Sequence, residues 1–128
     1  MSVAYLDSSA FVKTIVEEPE SRRLLSWLPG WPDRASSELL RVEALRSVRA
    51  HGRETVARAR DELGGVDLIP VDRPILDAAA DLPVEVRSLD AIHLASALAL
   101  GRDLGIVVTY DQRMQHAAQN LGLPIAAP

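Results

Sequence analysis

The sequence predicts an α/β fold, a single domain over residues 1–128 with a mainly parallel central sheet flanked by helices. Three observations predict it. Val3-Ala-Tyr-Leu6 and Ile106-Val-Val-Thr-Tyr110 are short apolar runs of the kind found in strands covered on both faces. Between such runs lie segments with helical spacing and Gly or Pro stops, and strands alternating with helices build βαβ units. Finally, Ser-Leu-Asp-Ala-Ile-His-Leu-Ala-Ser-Ala-Leu-Ala-Leu, over 88–100, is apolar on every side of a helix. It is too short to span a bilayer, which takes about 20 apolar residues, so it is expected to be buried.

Taken in order, the first strand ends at Asp7-Ser8-Ser9, which can cap a helix over 9–17 carrying Phe11, Val12, Ile15 and Val16 on one side. Pro19 opens a second helix with a Leu24, Leu25 and Leu28 stripe, and Leu28-Pro-Gly-Trp-Pro32 stops it. Ser36 or Ser37 is expected to cap a third helix running to about His51, stopped by Gly52. A fourth helix over 54–63 closes at Gly64-Gly65. The run over 66–71 reads as a strand whose Pro70 suggests a sheet edge or a strand end. A short helix over 74–82 precedes the apolar helix, for which Ser88 is the candidate N-cap. The strand ending at Asp111 comes next, then a helix over 112–121 and a last short strand over 122–126.

Composition narrows the function classes. The chain has no cysteine, which excludes disulfides, thiol catalysis and thiolate zinc sites. No secretory or spanning segment is evident, so the cytoplasm is the expected compartment and no membrane is involved. A net charge of −4 argues against a surface that coats nucleic acid generally. The charge is uneven, however: Arg41, Arg46, Arg49, Arg53, Arg58 and Arg60 face only Glu43 and Glu54 in the 41–60 segment, a local +4 against −8 elsewhere. Such a run commonly marks a solvated helix face, or it lies near an anionic substrate.

Asp90, His93 and Ser96 interrupt the apolar helix one turn apart. Asp90 either complements the helix dipole or has a function. His93 reads as a satisfied core histidine, and Ser96 as a small residue that permits close packing. Asp7 and Asp111 both end strands, where an α/β sheet binds its ligands, although each is also a natural N-cap. Glu43 leans toward the apolar side of its helix. If the four acids meet, each pair of charges about 6 Å apart repels by about 3 kcal/mol, and six pairs approach about 20 kcal/mol. Such a hollow must take up protons or a cation, and all-oxygen ligands suit Mg²⁺ or Mn²⁺.

These residues carry a family resemblance. Tyr5-Leu-Asp-Ser-Ser-Ala10, Glu43 in Val42-Glu-Ala-Leu-Arg46, Leu89-Asp-Ala-Ile-His-Leu-Ala-Ser-Ala97 and Thr109-Tyr-Asp-Gln-Arg113 resemble the four acidic motifs of PIN-domain ribonucleases, most closely the VapC toxins of bacterial toxin–antitoxin pairs. The resemblance runs over nearly the whole chain. It implies a Mg²⁺- or Mn²⁺-dependent endoribonuclease, a homodimer, an RNA substrate and inhibition by a VapB-type antitoxin. It assigns Asp7, Glu43, Asp90 and Asp111 as catalytic and metal-binding residues. Ser9 and Thr109 match hydroxyl positions beside the first acid and before the fourth; with Arg46 they are the candidate substrate-binding residues. Arg113 stands where some relatives have a further acid. The alternative is a non-cleaving PIN-like module that binds RNA or protein. A phosphoacceptor module would need a lysine late in the chain, and the sole lysine is Lys13. Trp27 and Trp31, flanking Pro29-Gly30, either cover the edge of the core or line a groove for the antitoxin.

Overall fold

The computed structural model describes residues 2–128. Its five strands are β1 (Val3–Leu6), β2 (Asp33–Ser37), β3 (Asp67–Ile69), β4 (Leu104–Val108) and β5 (Ile125–Ala126), all parallel, in the order β3-β2-β1-β4-β5. The helices are α1 (Ser8–Ile15), α2 (Ser21–Trp27), α3 (Leu40–Val48), α4 (Arg53–Leu63), α5 (Arg73–Ala80), α6 (Ser88–Ala99) and α7 (Gln112–Asn120). No helix among the described residues is long and apolar enough to cross a membrane.

The topology decides where a site can form. The chain begins at the centre of the sheet and works outward through β2 to β3. It then crosses back over α5 and α6 to lay β4 on the other side of β1. The direction of winding therefore reverses between β1 and β4, and the crevice beyond the carboxyl ends of two such strands is where α/β sheets bind ligands. Leu6 is in register with Val108, so Asp7 and Thr109 emerge side by side, and the Asp7 amide donates to the Val108 carbonyl at 3.3 Å.

Strand alternation assigns the two faces. Ala4 and Leu6 pack with Ala10, Leu24, Leu28 and Val108, beneath α1 and α2. Tyr5 points the other way, into a cluster with Ala35, Ala97 and Val107 under α6. On the first side, Phe11, Ile15, Leu40, Ala44, Val48, Ala59 and Leu63 join α1 to the α3–α4 hairpin. Leu40 is fully buried there, and truncating such a leucine to alanine costs about 2–5 kcal/mol. On the second side, Leu94 of α6 packs with Met114, Ala117 and Ala118 of α7.

The alternating βαβ plan is as the sequence predicts, and β3 lies at a sheet edge with Pro70 just beyond it. The third helix differs. Ser36 and Ser37 do not cap it; they are the end of β2, and α3 starts at Leu40. Asp33-Arg-Ala-Ser-Ser has one apolar residue and no strand signature, so its strand state comes from its neighbours. β1 and β3 take up its backbone on both sides, and the Ser36 hydroxyl donates to the Leu6 carbonyl at 2.6 Å. Small side chains here suit the approach of Ala97 on α6. Ser88 likewise is the first residue of α6, with Arg87 at the N-cap position. Nor is α6 buried all round: His93 through Ala97 are buried, whereas Leu89 and Leu98 are exposed.

Candidate active site

Asp7 sits at the centre of the crevice because β1 ends there and α1 begins. As the N-cap of α1 it is only 5% exposed, and both of its oxygens are engaged. Oδ1 accepts from the Ser9 hydroxyl at 2.6 Å and from the Ala10 amide at 3.1 Å. Oδ2 accepts from the Thr109 hydroxyl at 2.5 Å. Burial pushes the carboxyl well above its ordinary range, and the donations from Ser9, Thr109 and Ala10 pull it part of the way back.

Each hydroxyl is also an acceptor. Ser9 Oγ accepts from the Tyr110 amide at 3.0 Å, and Thr109 Oγ1 accepts from the Asp111 amide at 3.2 Å. Asp7 is thus tied through two hydroxyls to the chain leaving β4. Thr109 is fully buried, and both hydroxyl protons are committed to Asp7. The hydroxyls of Ser9 and Thr109, the candidate substrate-binding residues, thus both bond to Asp7.

Asp111 is exposed and caps α7, its Oδ1 accepting from the Arg113 and Met114 amides at 2.8 and 3.2 Å. Asp90 lies in the first turn of α6, half-buried, with no hydrogen-bond donor among the described residues. Its carboxyl is held above the usual range first by burial, then by the negative charges of Asp111 and Asp7. Asp90 is therefore within electrostatic reach of both Asp7 and Asp111.

Glu43, on α3, contacts His93 of α6. Its Oε1 accepts from His93 Nε2 at 2.6 Å, and His93 Nδ1 is 2.7 Å from the Tyr5 hydroxyl. His93 is thus the satisfied core histidine that the sequence predicts, 2% exposed. Burial drives the Tyr5 hydroxyl pKa far upward, so it remains a phenol with a proton to donate. An N–H at Nε2 and a lone pair at Nδ1 serve the carboxylate and the phenol together.

A family model described as PIN domain matches residues 4–120. Ribonuclease VapC46 of Mycobacterium tuberculosis is 47% identical over 129 aligned residues, covering 100% of this chain and 99% of that protein. The chain belongs to the PIN-domain family, in its VapC branch. Solved VapC structures share its fold. VapC20 of Mycobacterium tuberculosis, described as a sarcin–ricin loop cleaving toxin, superposes with a TM-score of 0.76 at 17% identity, over 98% of this chain and 99% of that one. A toxin–antitoxin complex from Klebsiella pneumoniae contains a chain that superposes at 0.72 with 20% identity, over 98% and 97%.

Among the described residues of this PIN domain, no three metal-ligating side chains are closed into one cage. The donor chemistry nonetheless fits a hard divalent cation. The groups are carboxylate oxygens, the chain lacks thiols, and burial together with the charges of Asp111 and Asp7 keeps Asp90 easier to protonate than a free aspartate. Tyr5 is the residue that sequence reasoning missed. It reads as one apolar letter in a strand, and its link to His93 spans 88 positions. Arg46 stands exposed on α3, in a groove of about 580 Å³ walled by Arg41, Arg46, Arg49, Arg53 and Arg60 over Val42, Leu45 and Val56. Trp27 and Trp31 stack at 5.7 Å and pack against the core cluster beneath α1 and α2, so they do cover a core edge.

Proposed function

We propose that this PIN domain is an endoribonuclease that cuts RNA phosphodiester bonds and acts in the cytoplasm as the toxin of a toxin–antitoxin pair. One observation carries the reading: Asp7 directly follows β1 and Asp111 lies just beyond β4, at the β1–β4 reversal, and the half-buried Asp90 feels the charges of both in addition to its burial. The name of VapC46 supports ribonuclease chemistry, and the identity extends over the whole chain.

In this proposal Asp7, Glu43, Asp90 and Asp111 hold Mg²⁺ or Mn²⁺. When bound, such an ion polarises the phosphoryl oxygens and lowers the pKa of a water. The residues of the chain supply the rest. Ser9 and Thr109 keep the Asp7 carboxylate in one orientation. Asp90, with no donor among the described residues, would accept a proton from water at its carboxylate. Attack by water on phosphorus forms one P–O bond and breaks the bond to the 3′ oxygen, leaving a 3′-hydroxyl and a 5′-phosphate. His51, His93 and His116 lie apart on separate elements, and no pair of them is arranged to activate a 2′-hydroxyl. The arginine-walled groove offers phosphate contacts, Arg46 among them.

The fold shared with the chain from a Klebsiella pneumoniae toxin–antitoxin complex supports a VapB-type antitoxin as partner. Exposed Leu76 and Leu89 support a homodimer through the α5–α6 side. The test of function is incubation of the purified protein with RNA in Mg²⁺, Mn²⁺ or EDTA, with the ends of the products mapped. Cleavage is expected only with a divalent ion, giving 5′-phosphate ends. Cyclic phosphate ends would overturn the mechanism, and RNA binding without cleavage would make the chain a non-cleaving module.

A further inference from the structure

We propose that His93 is a positioning residue for Glu43: it fixes one carboxylate oxygen from within the core and leaves the other free for the ion-holding site. The inference rests on the reading that Glu43 belongs to that site. Its basis is a chain of two short contacts joining three elements. Tyr5 of β1 is fully buried, with its hydroxyl 2.7 Å from His93 Nδ1. The two rings meet edge to face, 5.9 Å apart and inclined by 78°, which fixes the imidazole plane as well as its position. Nε2 then donates to Glu43 Oε1 at 2.6 Å, while Oε2 has no hydrogen-bond partner among the described residues.

The exposures show the direction in which the contact acts. The side chain of His93 is 2% exposed and that of Glu43 22%, so a rigid buried group grips a flexible one at the rim. Both ring nitrogens of His93 are engaged by side chains, Nδ1 by Tyr5 and Nε2 by Glu43. Through Nε2 it reaches an ionisable side chain 50 positions away, on a different helix. A free glutamate would have to give up its rotamer freedom each time it closed on a cation. His93 removes that entropy cost in advance. Outer partners that orient metal-ligating groups commonly affect metal affinity or activity by about 10–100-fold.

The experiment measures Mn²⁺ affinity by calorimetry on the full chain, together with kcat and KM for RNA cleavage. The variants are His93→Leu, His93→Gln, Tyr5→Phe, Glu43→Ala and the double variant His93→Leu/Glu43→Ala. His93→Leu is expected to weaken Mn²⁺ binding by about 10–100-fold and to lower kcat with little change in KM for RNA. His93→Gln, which keeps an N–H near the Nε2 position, should recover most of the loss. In the Glu43→Ala background, His93→Leu should add nothing, because it acts through that carboxylate. Tyr5→Phe, a change of one oxygen, should weaken binding several-fold, and this loss should also vanish with Glu43→Ala. If His93→Leu fails to fold, the Tyr5→Phe pair of measurements decides.

Two results would overturn the inference alone: unchanged Mn²⁺ affinity in a folded His93→Leu or Tyr5→Phe, or losses that multiply with that of Glu43→Ala. If Glu43→Ala itself binds Mn²⁺ and cuts RNA like the parent, the placement of Glu43 in the site has failed, and the inference with it.

Discussion

Helices α1 and α6 each carry an aspartate at their N-terminal end, Asp7 as the N-cap of α1 and Asp90 in the first turn of α6, and the two have opposite circumstances. Asp7 is buried, caps its helix and accepts three hydrogen bonds. Asp90, one turn into α6, is half-buried and accepts none among the described residues, while the charges of Asp111 and Asp7 press on it. Capping and three donors make Asp7 part of the framework that ties β1 to β4. Two carboxylates that look alike as letters thus differ in how far the fold engages them: Asp7 is held by three donors, and Asp90 by none among the described residues.

The comparison is broken most severely at Asp90. Asp90→Asn preserves shape and removes one charge, and charges about 6 Å apart in an effective dielectric of 20 interact by about 3 kcal/mol. Cleavage should therefore fall by about a hundredfold, with weaker stabilisation of the fold by Mn²⁺. Rate measurements and melting curves with and without the ion check both. Asp7→Ala should act first on the framework. It removes a helix cap, worth about 0.5–2 kcal/mol, and leaves the buried Thr109 hydroxyl without its acceptor, at about 1–3 kcal/mol. Denaturant unfolding should show this loss, and the absence of any such loss in Asp90→Asn would complete the contrast.

A subtler expectation concerns pH. Asp90 has its carboxyl raised above the unfolded value of 3.8, so the folded chain binds its proton more readily than the unfolded chain does. Its contribution to stability is therefore greatest at low pH and declines as pH rises from about 4 through the folded value. In EDTA, Asp90→Asn should melt higher than the parent near pH 7, and the two should converge near pH 4. A gap that widens on acidification would contradict the direction of the shift. The smallest effect is expected at Arg46. Arg46→Ala should weaken RNA binding modestly and reduce the slope of log affinity against log salt by about 1, with cleavage at saturating RNA little changed.

Much of this was legible in the letters. Val3-Ala-Tyr-Leu6 and Ile106-Val-Val-Thr-Tyr110 announce central strands because a strand covered on both faces needs apolar residues throughout. Asp7 and Asp111 could be placed at strand ends because strand-to-helix turns favour such caps. β2 was not legible. Asp33-Arg-Ala-Ser-Ser is a strand only because β1 and β3 flank it, and Ser36, fully buried, reads locally as a helix cap. The tie between Tyr5, His93 and Glu43 was equally hidden, since its members lie 88 and 50 positions apart.

What the sequence determined by itself was the set of parts: one α/β domain, four acids in characteristic settings, and no cysteine chemistry. These depend on local patterns of periodicity, capping and composition, which act over a turn of helix or a few strand residues. The tertiary structure alone decided which acid is committed and which is free. The return of α5 and α6 lays β4 beside β1, bringing Thr109 onto Asp7 and leaving Asp90 without a donor among the described residues. The physical reason is that hydrogen-bond satisfaction and charge repulsion depend on distances between remote segments, and only the packed sheet sets those distances.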